Sequence, residues 1–197
     1  MAINTGSSWP RNGFTLVRRG GESSESYVRR FPASAGGNQV IAVGQAVTIV
    51  NGVVVPATAG QDPNQVGFGV VMGVFNSSGR PFTQQATKYI ASGANGLVDV
   101  NYDPFAEYVV RCETSVGPSN INHNVTLTGY SAQASLPRII QAVDIPASAS
   151  VGDLFRIVRL AEVNDLPALG NNPVGGSGNA VIVRWNNHTY KAGTAGQ

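Results

Sequence analysis

The chain has 197 residues, enough for one large or two small β-domains with a sizeable core. Charged residues make up 12% of it, about half the usual share, and the net charge of +2 is too small to argue for nucleic acid. The single cysteine, Cys112, excludes an internal disulfide framework and an all-cysteine zinc site, and no apolar stretch approaches the length of a membrane-spanning helix.

A charge deficit bears on what the surface meets. Desolvating an unpaired charge is expensive, so surfaces poor in charge tend to contact other protein. A charge-poor β-protein without such a partner is the plainer alternative. The positive charge is concentrated at the start: up to Pro32 there are five arginines against Glu22 and Glu25, while the remainder holds eight basic and nine acidic residues. Eleven of the 13 basic residues are arginine, which forks onto carboxylates and is weakly hydrated, a choice that favours interfaces. Met1 is not followed by a basic and then an apolar run, so no secretory signal is expected, and the chain is expected to be made and kept, or assembled, in a reducing cytoplasm.

In chain order, Phe14-Thr15-Leu16-Val17 and Tyr27-Val28-Arg29-Arg30-Phe31 can form strands between the flexible stretches Gly6-Ser7-Ser8 and Gly20-Gly21-Glu22-Ser23-Ser24. Residues 1–32 therefore read as an extended arm with edge-pairing potential. Strands follow at 40–43 and 46–50. Asn51-Gly52 then separates two apolar runs, the strongest local hairpin signal, because both residues tolerate the positive φ of a type I′ turn. The run 66–75 is nearly all apolar, with glycines at 67, 69 and 73, and should be buried on both faces or bent against a neighbouring backbone. Further strands are expected at 87–91, 97–101, 106–112, 124–128, 138–144, 153–160 and 180–185. No window sustains a helical period beyond about two turns; the best helix candidates, 129–136 and 162–169, are short and diluted or interrupted by Pro167. The predicted fold is all-β, barrel- or sandwich-like, with very little helix. A soft division near 84–88 gives a hairpin-rich unit, 33–85, and a second β unit, 86–197, that can equally fold back onto the first.

Chemistry-bearing motifs are scarce. His123 and His188 are isolated, with no metal-ligand spacing between them. Gly175-Gly176-Ser177-Gly178-Asn179 fails the nucleophile-elbow pattern and lacks the Lys of a phosphate loop. An acid pair could assemble from Asp99, Asp103, Glu107 and Glu113, but turn-forming Asp and strand-edge Glu account for them more simply. Cys112 reads as a buried small hydrophobe. Neither catalysis, a cofactor nor a metal is expected, and a small hydrolase ranks last among the readings. Trp185 alternates with Val181 and Val183 and reads as core. Trp9, beside Pro10 and Arg11, reads as an anchor that docks into a partner. The six tyrosines are dispersed along the chain.

Gly44-Gln45-Ala46-Val47-Thr48-Ile49-Val50-Asn51-Gly52-Val53-Val54-Val55-Pro56-Ala57-Thr58-Ala59-Gly60, followed by Val70-Val71-Met72-Gly73-Val74-Phe75, is similar to a pattern in the head decoration (cement) proteins of tailed bacteriophages. The resemblance covers about residues 38 to 76, and extends loosely through 97–112. It implies a β-rich unit seated on the outer surface of the capsid, with the major capsid protein as partner and a homo-oligomer, trimer or dimer, as the assembled form. Nucleic acid and membrane are not expected partners. The chain departs from the family in its length, its arginine-bearing arm and its large second half, which puts the trimer in doubt. Trp9, Arg11, Arg18, Arg19, Arg29 and Arg30 are the residues expected to contact the capsid, since a cationic arm that adds a strand suits an acidic shell. A carbohydrate- or host-surface-binding virion module is the alternative, and tryptophans and tyrosines gathered on one exposed face would favour it.

Overall fold

The computed structural model describes residues 13–18, 27–36, 39–58, 66–81, 89–128, 131–132, 139–148, 150–162 and 179–191. Their strands are β1 (Thr15–Arg18), β2 (Val28–Ser34), β3 (Ile41–Ala42), β4 (Ala46–Val50), β5 (Val53–Pro56), β6 (Gly69–Phe75), β7 (Tyr89–Ile90) and β8 (Asn95–Asn101). The order continues with β9 (Glu107–Arg111), β10 (Asn124–Leu127), β11 (Ser131–Ala132), β12 (Ile139–Ile140), β13 (Val143–Asp144), β14 (Phe155–Leu160) and β15 (Ala180–Trp185). A single 3-10 turn at Pro118–Asn120 is the one helical piece among them. The protein is all-β.

Two larger sheets carry the fold. Strands β2-β5-β4-β6-β8 close into a barrel, and β1-β9-β15-β14-β10-β13 form a six-stranded sheet. The barrel begins from the Asn51-Gly52 turn, where both residues have positive φ, 50° and 80°. That conformation matches the twist of the strands it joins, and β4 pairs with β5 from Val50↔Val53 to Val47↔Pro56. A Cβ at Gly52 would meet nothing within 4 Å, so Gly52→Ala adds backbone strain alone. It is expected to cost about 1 kcal/mol, read as a lower urea midpoint at unchanged slope.

Strand β6 is buried on both sides over Gly69–Val71, whereas beyond that its outer side opens at Met72. Val71 and Val74 point into the barrel with Val47, Val54, Val98 and Val100, whereas Val70 faces the six-stranded sheet. The preceding glycines permit close approach: a Cβ at Gly69 would lie 2.4 Å from the Asn101 carbonyl oxygen, and one at Gly67 only 2.1 Å from the Trp185 ring. The short pair β3-β7 adds Ile41 and Ile90 to the barrel interior. The second cluster lies between barrel and sheet. Trp185, Phe155, Ile157, Val181, Val183 and Tyr108 from the sheet pack there with Ala46, Ala57 and Val70 from the barrel.

The arm of residues 1–32 is shorter than the sequence implies. Phe14 is buried, stacks on Phe155 at 4.5 Å, and its N–H donates to the Gly44 carbonyl at 2.7 Å. Strand β1 then pairs with β9, and β2 runs antiparallel to β8 over seven residue pairs, from Val28↔Asn101 to Ser34↔Asn95. Residues 28–32 belong to the barrel because Phe31 and Ala33 alternate inward. The division at 84–88 also fails to separate two units, since β7 and β8 complete the barrel begun by β2 to β6.

Two local expectations change as well. The strand expected at 138–144 is two short ones, interrupted at Gln141, whose Oε1 leaves the sheet to accept the Ala46 N–H at 2.7 Å. Within the helix candidate 129–136, Ser131 and Ala132 form a strand paired with β12. The other helix candidate lies outside the described residues beyond Glu162.

Candidate interaction surfaces

The residues that carry chemistry elsewhere are committed here to structure. His188 is buried; its Nε2 lies 2.8 Å from the Phe68 carbonyl, and its Nδ1 lies 3.2 Å from the Tyr190 N–H. A carbonyl can only accept and an N–H only donate, so the proton sits on Nε2 and the ring is neutral. Burial pulls its pKa down to about 4 despite the Phe68 bond. Burial likewise pushes the Cys112 thiol up to about 12, which keeps it un-ionised and poorly nucleophilic. Asp103 accepts the Phe105 N–H at 2.8 Å and closes the turn before β9, the role its position predicts. Among the described residues no group of three His, Cys, Asp or Glu is placed to hold a metal.

Several amide side chains also turn inward. Gln45, Gln141, Asn101, Asn124, Asn179 and Asn186 are all buried. Asn179 clamps Val116, accepting its N–H and donating to its carbonyl, and Asn186 donates to the Asp153 carbonyl at 3.0 Å. These amides satisfy backbone groups that would otherwise be stranded inside a loop-rich fold.

Of the residues expected to meet the capsid, Trp9, Arg11 and Arg19 lie outside the described residues, as does the Arg18 side chain. Arg18 stands opposite Glu107 in the β1-β9 register. Arg29 and Arg30 are exposed on β2. Arg30 is held from two sides. Its Nε and second terminal nitrogen donate to the two Asp99 oxygens at 2.8 and 3.1 Å, and its guanidinium lies 3.6 Å over the Phe75 ring. The pair raises the Arg30 pKa above its ordinary value, chiefly through the hydrogen bond to Asp99. The guanidinium is thus oriented and its charge largely answered within the molecule.

Around Arg30 the outer wall of the barrel forms one continuous face. Register places Pro32 beside Leu97, Leu97 beside Phe75, Arg30 beside Asp99, and Asp99 beside Gly73. A β-bulge between Val71 and Gly73 turns the Met72 side chain outward. This wall is apolar at its centre and carries one pre-ordered arginine.

A second gathering was not legible in the sequence. Tyr27, Tyr102 and Tyr190, far apart along the chain, meet at the junction of barrel and sheet, with ring centroids 5.8 Å apart for Tyr27–Tyr102 and 6.2 Å for Tyr102–Tyr190. Phe31 and Phe68 back them from the barrel, and Tyr190 leans on His188. Tyr190 is 64% exposed, and Phe105, three residues after Tyr102, is 57% exposed. The Tyr27–Tyr102 contact follows from β2-β8 pairing and the Tyr102–Tyr190 contact from the chain's return after β15, neither of which a linear pattern reveals.

No protein-family model matches this chain, and no curated protein or solved structure does either.

Proposed function

We propose that the chain is a non-catalytic structural virion protein that binds the outer surface of a bacteriophage head and stabilises its shell. The observation that carries the reading is the barrel wall formed by Pro32, Leu97, Phe75, Met72 and the pre-ordered Arg30. Apolar side chains around an arginine fixed before binding are what a protein-docking anchor needs, since little ordering is left to do on contact. The stretch that resembles decoration proteins, 44–60 with 70–75, contributes β4, β5 and β6 to this barrel, so resemblance and surface coincide. The partner is the major capsid protein, the location the capsid exterior after synthesis in the host cytoplasm, and the assembled form a trimer or dimer. With residues 14–18 and 28–34 held in the fold, what is left of the expected arm, residues 1–12 and 19–26 between β1 and β2, lies outside the described residues. Trp9 and Arg11 fall in the first of these.

The test is co-sedimentation of the purified chain with expanded heads that lack it. The full chain is expected to bind saturably. Met72→Glu, which places a charge on the bulge without touching the core, is expected to weaken binding about tenfold. Deletion of residues 1–12 is expected to weaken it while leaving the unfolding midpoint unchanged. Failure of the full chain to sediment with heads would remove the proposal, and full binding by the deletion would remove the arm from it.

A second reading, a carbohydrate-binding virion module, is favoured by the Tyr27-Tyr102-Tyr190 gathering with Phe105 nearby. Exposed aromatic faces are the surfaces against which the C–H faces of sugars stack. The two readings use different surfaces and are compatible in one molecule.

A further inference from the structure

The face of the six-stranded sheet turned away from the barrel carries a row of side chains in register across four strands. Glu107 of β9 stands opposite Arg184 of β15, Arg184 opposite Arg156 of β14, and Arg156 opposite Asn124 of β10. Alternation fixes the face: Val181, Val183 and Trp185 point into the main core, so Arg184 points the other way with Ile182. Two arginines directly opposite each other on adjacent strands repel, an arrangement that sheets normally avoid. Arg156 donates from Nε to the Asn124 amide oxygen at 3.0 Å, a neutral acceptor. The Arg184 Nε is buried and has no hydrogen-bond partner among the described residues.

A third cation joins them. The Lys191 Nζ donates to the Trp185 carbonyl at 2.9 Å, one residue from Arg184, and lies 5.8 Å from the Phe105 ring centroid. Burial depresses the Lys191 pKa first, followed by the charges of Arg184 and Arg156; burial and then Arg184 act on Arg156 in the same direction. The three cations thus share one neighbourhood, with Glu107 in register beside Arg184, the exposed Phe105 ring beside Lys191, and the exposed Tyr190 next to Lys191 in the chain. Positive charge brought together against its own repulsion, with a donor left open, is what a site for an anion looks like before the anion arrives.

We infer that Arg184, Arg156 and Lys191, with Phe105 beside Lys191 and Tyr190 preceding it in the chain, form a binding site for an anionic saccharide. The cations take the sugar's carboxylate or sulfate, and the exposed rings take its C–H face. An acidic peptide would satisfy the cations but gives the two rings nothing specific to stack against. The inference rests on the carbohydrate reading and adds the charge to it; it is independent of capsid binding.

The test is calorimetric titration of the full chain with sialyllactose, a sulfated disaccharide, uncharged lactose and a tetraglutamate peptide. At least one charged sugar is expected to bind about tenfold or more tighter than lactose, and raising salt is expected to weaken it. Whether the carboxylate or the sulfate sugar wins identifies the anion. Arg156→Gln and Arg184→Gln are each expected to lower that affinity about tenfold. Tyr190→Ala, at an exposed position, is expected to lower it without shifting the unfolding midpoint. Equal binding of lactose would overturn the anion site while leaving the carbohydrate reading intact. Tetraglutamate binding as tightly as the sugars would overturn the saccharide assignment. Binding of none of the sugars would remove both.

Discussion

Trp185→Ala is expected to lower the free energy of unfolding by about 3–5 kcal/mol, the range for truncating a fully buried large aromatic. The indole is 0% exposed. It stacks on Phe155 at 4.2 Å, Phe155 stacks on Phe14 at 4.5 Å, and the other side of the indole presses on Gly67. One side chain therefore joins the sheet, the first strand and the entrance to β6. Gly67→Ala should destabilise by about 1–3 kcal/mol from overpacking, because its Cβ would lie only 2.1 Å from the indole ring. The two substitutions should not add. With the ring gone the alanine methyl occupies space instead of colliding, so the double variant should be more stable than the sum of the single losses predicts. Urea unfolding followed by circular dichroism reads all three variants, and strict additivity would refute the contact as described.

Acid should destabilise the protein through His188. An unfolded histidine has a pKa of about 6.5, whereas folded His188 has a pKa of about 4. Between those values the unfolded chain binds the extra proton, so stability is complete above pH 6.5 and falls as pH drops toward 4. The depression corresponds to about 3 kcal/mol over that window. Carboxylates titrate over part of the same range, so the decisive quantity is a difference. His188→Gln keeps an N–H donor near the Phe68 carbonyl and has no ionisation, and its unfolding free energy should fall less than the parent's between pH 7 and pH 4.5. Equal falls would mean that His188 does not control the acid response. Protonation also removes the acceptor for the Tyr190 N–H, so the exposed tyrosine should be released in the same window.

Local signals in this sequence were readable and long-range ones were not. The bounds of β4 and β15 and the Asn51-Gly52 turn follow from β-branched runs and one turn dipeptide, because each depends only on neighbours in the chain. Trp185 was legible as core from its alternation with Val181 and Val183. The arm was misjudged at Arg29-Arg30, where charge hides the alternation of Phe31 and Ala33; Arg30 tolerates its place because Asp99, 69 residues away, stands opposite. Asn186-Asn187-His188-Thr189 reads only as a stretch beyond a strand end, yet His188 is buried, its ring 5.3 Å from the Trp185 ring. The Arg156–Arg184 pair depends on the β14-β15 register, including the irregularity between Ile157 and Arg159, which residue types alone do not determine.

The barrel's closing strand has a consequence for synthesis. β8 is the last stave to leave the ribosome and the only one that pairs with both β2 and β6. A nascent chain that has reached Phe75 holds four staves with two open edges, and it stays unsealed until Asn101 has emerged. Such edges invite pairing between neighbouring chains on a polysome. Slowing translation across residues 76–94 should therefore raise the insoluble fraction, whereas the same delay placed after residue 101 should not.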